Sequence, residues 1–103
     1  MEIIIQGSND PLLLAVEDLD KLIDISAVLV QHDKIKKEWT KDNAIIQDGI
    51  LILPLSQEDT LKLTRGMATL DIKAYSQDKR VEFMDLVEYK VITRLNTNTF
   101  TEA

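Results

Sequence analysis

Along most of the chain, apolar residues recur at every second position. Between Met67 and Ser76, Ala68, Leu70, Ile72 and Ala74 alternate with Thr69, Asp71 and Lys73. That period marks a strand with one face on a core and the other in water. Ser76-Gln77-Asp78-Lys79 reads as a turn, and a second run follows from Arg80 to Arg94. There Val81, Phe83, Val87, Tyr89 and Val91 share one parity, and Glu82, Glu88 and Lys90 the other. The two runs predict a long antiparallel hairpin. Asp85 falls on the apolar parity, which a bulge or a change of facing there would reconcile.

Upstream, Ile50-Leu51-Ile52-Leu53-Pro54-Leu55 is apolar at both parities, as a strand covered on both faces would be. Pro54 places its backbone at an edge or a strand end. Asp48-Gly49 is a turn pair that joins this strand to a short one at 44–47. Ile25 to Val30 is a further β-branched run, ending in His32-Asp33-Lys34, after which Ile35 and Trp39 sit at strand parity. Ser56 is a good N-cap, with Asp59 three residues on, so 57–62 is expected to form about one helical turn between strands. Residues 12–23 admit two readings. Leu12, Val16, Leu19 and Ile23 have helical spacing behind Asp10-Pro11; the alternative, favoured here, is a strand at 12–16 followed by an acidic loop at 17–21. Strands near Ile3, Leu13, Val28, Trp39, Ile52, Leu70 and Val87 then predict an all-β, antiparallel Ig-like sandwich of about seven strands with one short helical crossover. Residues 1–95 are expected to be one domain and 96–103 a polar C-terminal tail, frayed or an edge strand.

Composition changes this picture by exclusion. The 103 residues contain 18 acidic and 12 basic side chains, a net charge of −6, and no Cys. Disulfide frameworks and Cys-based zinc sites are therefore absent, and nucleic acid and anionic lipid are not expected partners. The first seven residues lack the basic start and long apolar run of a signal peptide, and nothing approaches a spanning helix. The expected location is the bacterial cytoplasm or an assembly made there. No P-loop, G-x-G-x-x-G, H-E-x-x-H or G-x-S-x-G occurs, and the single His32, which Asp33 and Gln31 could orient, has no Cys to pair with and reads as an exposed loop histidine, so no enzyme, cofactor or metal site is expected. Asp18, Asp20 and Asp24 form the best cation candidate, but they lack the glycine turn and closing Glu of a calcium loop. A solvated acidic loop explains them better. Trp39, the one Trp, is a core residue or, if exposed, a contact residue.

Several stretches resemble a known group. Ile5-Gln6-Gly7-Ser8-Asn9-Asp10-Pro11, Ile25-Ser26-Ala27-Val28-Leu29, and the block Leu53 to Leu61 followed by Gly66 to Ile72 are similar to the Ig-like N-terminal domains of phage baseplate upper proteins. The resemblance implies a non-enzymatic virion module from a phage or prophage, with tail or baseplate proteins or further copies of itself as partners. It transfers no catalytic residue. Ile3, Ile5 and an exposed Trp39 are the candidate contact residues, with 3–6 an edge strand that pairs with a neighbour. Two other expectations compete. One is a carbohydrate- or ligand-binding module with Trp39 and Tyr75 or Tyr89 beside a cleft. The other is an acidic regulatory protein that binds a soluble partner.

Overall fold

The computed structural model describes residues 2–101; Met1 of the expected domain and Glu102 and Ala103 of the expected tail lie outside the described residues. The fold is all-β, two sheets with one short helix. In chain order the strands are β1 (Glu2–Ile5), β2 (Leu12–Ala15), β3 (Leu22–Gln31), β4 (Lys34–Thr40), β5 (Ile45–Gln47), β6 (Ile50–Leu53), β7 (Gly66–Ser76), β8 (Val81–Phe83) and β9 (Val87–Ile92); α1 (Gln57–Leu61) lies between β6 and β7. The larger sheet runs β1-β9-β7-β3-β4, with β8 also on β7, and the smaller runs β2-β6-β5.

Alternation decides which residues of each strand are buried. Ala68, Leu70, Ile72 and Ala74 of β7, Ile25, Ala27 and Leu29 of β3, and Leu51 and Leu53 of β6 point inward. With Leu12, Trp39, Tyr89 and Val91 they form one core between the sheets. The 12–23 segment takes the strand reading. Leu12–Ala15 pairs with β6, and Leu19–Lys21 is a single 3₁₀ turn. The hairpin turns require left-handed backbone, which His32 (φ 54°) and Asp33 (φ 62°) adopt between β3 and β4, and Asp48 (φ 52°) and Gly49 (φ 76°) between β5 and β6. Positive φ at both central residues matches the right-handed twist of the flanking strands.

Two expectations are corrected, the make-up of the sheets and the single strand over 80–94. Among the described residues the strands number nine rather than about seven, and β1 runs parallel to β9, so the larger sheet is mixed rather than antiparallel. The run 80–94 is not one strand. Between the pairs Lys73↔Phe83 and Leu70↔Val87 the chain advances three residues along β7 but four on the opposite side. One extra residue reverses the facing. Val81 and Phe83 therefore point to solvent, whereas Tyr89 and Val91 of the same parity point inward. Residues 96–101 form no strand.

Trp39 is not an exposed contact residue. It is 1% exposed and has the largest fully buried side chain among the described residues. Opposite Ala27, it faces the core, and its indole Nε1 donates to the Pro54 carbonyl at 2.8 Å. A buried indole needs such an acceptor, and this one lies just past the end of the other sheet. Replacing Trp39 by Phe should cost about 1–3 kcal/mol in urea denaturation, because the Pro54 carbonyl loses its donor and the smaller ring leaves space. In the wild type, the Trp emission should be blue-shifted and resistant to acrylamide quenching. Emission typical of water-exposed indole would contradict the buried position.

Candidate functional site

The smaller sheet brings together residues that the sequence pattern left without cover. Its inward positions are Leu12, Leu14, Ile46, Leu51 and Leu53. Cross-strand partners share a face, so the register Leu13↔Ile52↔Ile45 and Ala15↔Ile50↔Gln47 puts these six residues on the other side. Five of the six are apolar and none is charged. Leu13 is 56% and Ile45 48% exposed, and Ile50 and Ala15 are also exposed. The both-parity apolar run at 50–55 thus has one face on the core and the other bare.

The outward face of the larger sheet is built differently. Ile3 and Ile5 are exposed there on edge strand β1, opposite Lys90 and Ile92 of β9. Lys90 separates Ile3 from Met67, and Glu88, Asp71, Lys73 and Glu38 lie on the same face. Ile3, Ile5 and Trp39 therefore form no common site, since Trp39 points to the opposite side. The cleft of Trp39 with Tyr75 or Tyr89 does not form either. Tyr75 faces outward, between Asp24 and Val81. Tyr89 is buried. Burial, and then the Glu2 carboxylate, push its phenol above the usual range, so it stays neutral.

The acidic loop gathers no cation site. Asp18 sits in the left-handed region beside Lys21 at 3.7 Å, and Asp24 Oδ1 accepts from the Ile25 N–H at 2.8 Å. Among the described residues, no three of His, Cys, Asp and Glu cluster. His32 Nε2 pairs with Thr64 Oγ1 at 2.9 Å in an exposed turn.

A second concavity lies at one end of the molecule, where the β1–β2 loop, α1 and the segment after β9 meet. It encloses about 660 Å³ and is lined by Gln6, Gly7, Asn9, Gln57, Arg94, Asn96, Asn98, Phe100 and Thr101. Its position depends on α1, which is fixed at its start by reciprocal bonds. The Asp59 N–H donates to Ser56 Oγ at 3.0 Å, and the Ser56 N–H donates to Asp59 Oδ2 at 2.9 Å. Lys37 of β4 reaches the same carboxylate at 3.1 Å and ties the helix to the larger sheet. The sequence pattern identifies this capping box. It does not identify Gln57, whose partner is 43 residues away, nor the open side of the smaller sheet. The signal for that side was the doubly apolar run at 50–55.

No family model matches the chain, and no curated protein matches it in sequence. A solved structure, "The crystal structure of CopC from Methylosinus trichosporium OB3b", is similar over 86% of this chain and 98% of that one, with 15% sequence identity and a TM-score of 0.48. The expected role as a phage or prophage tail or baseplate module is corrected here: none of these comparisons supports it. At 15% identity, no residue role or activity of CopC transfers to this chain. Among the described residues, no helix is long and apolar enough to cross a membrane.

The Asp59 cap predicts a pH dependence. Burial alone would raise its carboxyl, but the Ser56 N–H, the Lys37 ammonium and the Ser56 hydroxyl outweigh burial and hold it below the usual carboxylate range. The contribution is complete above the unfolded value and is lost as pH falls through the lower folded value. Asp59→Ala should cost about 1 kcal/mol at neutral pH. Melting curves of wild type and variant should converge as the pH drops below the wild-type carboxyl's titration. A constant gap down to strongly acidic pH would show that Asp59 acts by packing alone.

Proposed function

We propose that this chain is a non-enzymatic assembly module that pairs with a second copy of itself through the outward face of the β2-β6-β5 sheet. The observation that carries the reading is the residue set on that face: Leu13, Ala15, Ile45, Ile50 and Ile52, with Gln47 the one polar member. Exposed apolar patches of this kind mark contact surfaces. A two-fold contact requires a patch that complements itself, and a flat, uncharged sheet face meets that requirement. A copy carrying the same net charge of −6 is repelled wherever acidic surface meets acidic surface, so a charge-free face favours self-pairing. Two such faces stack at about 10 Å, as sheets do in any sandwich. The face is three strands wide and at most four residues long, so the contact belongs at the small end of interfaces, with affinity in the micromolar range or weaker.

Sedimentation velocity between about 10 and 500 μM tests this. The wild type should shift from monomer to dimer across that range, a span centred on the micromolar regime. Leu13→Lys and Ile45→Lys, both at exposed positions, should remain monomeric with unchanged thermal melting. A wild type that is monomeric throughout would overturn the reading, as would Lys variants that dimerise equally well.

A further inference from the structure

The end groove contains an arrangement that neither its helix nor its loops require. Gln57 is the first residue of α1, yet it is only 7% exposed. Both ends of its carboxamide bond to the main chain of one distant residue. Nε2 donates to the Phe100 carbonyl at 3.0 Å, and the Phe100 N–H donates to Oε1 at 2.9 Å. Phe100 itself is 86% exposed, so its ring plays no part in the attachment. The segment after β9 is held here by its backbone.

The groove lining suits that task. Five of its nine residues, Arg94, Asn96, Asn98, Phe100 and Thr101, belong to the held segment and form one wall; of the other four, Gln6, Asn9 and Gln57 are carboxamides. A carboxamide carries the same donor and acceptor as a peptide unit, so it can replace a neighbouring strand for an extended chain. The lining contains no carboxylate, in a protein with 18 acidic residues. The same device appears at a second glutamine. Gln31, at the end of β3, donates to the Thr64 carbonyl at 2.6 Å and accepts from the Thr64 N–H at 2.8 Å. There it joins two parts of the folded body. At Gln57 it holds a segment with no strand pairing of its own.

We infer that the Gln57 side of the groove is a binding site for an extended polypeptide segment, engaged in cis by residues 99–101 and able to take the same segment from a second copy. Recognition is through the main chain, by the Gln57 carboxamide, and the segment's side chains remain outside. The tethered segment competes at an effective concentration in the millimolar range, so the site opens to a partner only when the cis contact is released. This site is separate from the sheet face and does not depend on dimerisation there.

The test uses the full chain and a fluorescently labelled peptide of residues 94–103, followed by anisotropy. Phe100→Pro removes the N–H that donates to Gln57 Oε1, in an exposed segment, and leaves the other groove side chains, Gln57 among them, untouched. The wild type should bind the peptide weakly. The Phe100→Pro chain should bind it at least about tenfold more tightly, because the cis competitor is weakened. Adding Gln57→Ala or Gln57→Glu to Phe100→Pro should abolish the gain, Glu because it keeps the acceptor but loses the donor. In the wild type, Gln57→Ala should also shift the Phe100 amide resonance. Equal peptide binding by wild type and Phe100→Pro would overturn the inference, and so would a gain that survives the loss of Gln57.

Discussion

The hydrogen bond from Trp39 Nε1 to the Pro54 carbonyl is the contact on which the arrangement of the two sheets depends. A three-stranded sheet of short strands has little independent stability in water and must rest one face on another layer. Here that layer is the inward face of β7 and β3, and Trp39 enters from edge strand β4 to fill the space between them. Its bond is made to the residue just past the end of β6, where Pro54 prevents further pairing. Packing is directionless, whereas this bond fixes where the smaller sheet stops. The chain can then turn through Ser56 into α1 and return to the larger sheet as β7. The outward face of β2-β6-β5 follows from the same constraint. Once Leu51 and Leu53 are committed to the core, Ile50 and Ile52 must point the other way.

The helix carries that constraint to the end groove. Five residues are too few for a helix to be stable by itself, so α1 is held by its capping box, by Lys37 and by Gln57. Thr60 adds a fourth tie. Its hydroxyl donates to the Ser8 carbonyl at 2.7 Å and accepts from the Gly7 N–H at 2.9 Å, and Gly7 has the left-handed φ of +86° that favours glycine. The groove's three walls are thus joined through one short element, which gives the Gln57 carboxamide a fixed position.

What the sequence disclosed follows the range of the interactions involved. Alternation in β7 and the capping box at Ser56 and Asp59 are local, and both were legible. The doubly apolar run at 50–55 was legible as a pattern. Which face the larger sheet would cover was not, because that depends on Trp39 and Pro54 meeting across 15 residues. The facing change in 80–94 was visible as a conflict at Asp85. Its consequence, Phe83 outside and Tyr89 inside, required the register against β7. The parallel pairing of β1 with β9 and the bond from Gln57 to Phe100 join residues far apart in sequence and leave no local trace. Ile3, Ile5 and Trp39 share apolar character but not a face, so composition grouped residues that geometry separates.

The contrast between the two outward faces argues against reading the bare one as an accident of composition. On the larger sheet, Lys73, Glu38, Asp71, Glu88 and Lys90 are spread among the apolar residues, and β4 carries Lys34 and Lys36 along its open edge. Charges in these places keep exposed sheets from adhering to one another. A chain that is 29% charged could place such residues on every surface, yet the outward positions of β2, β5 and β6 hold none. The charge pattern thus protects the larger sheet and leaves the smaller one open to a neighbour. In the proposed pairing, the same apolar face of a second copy is the cover for it.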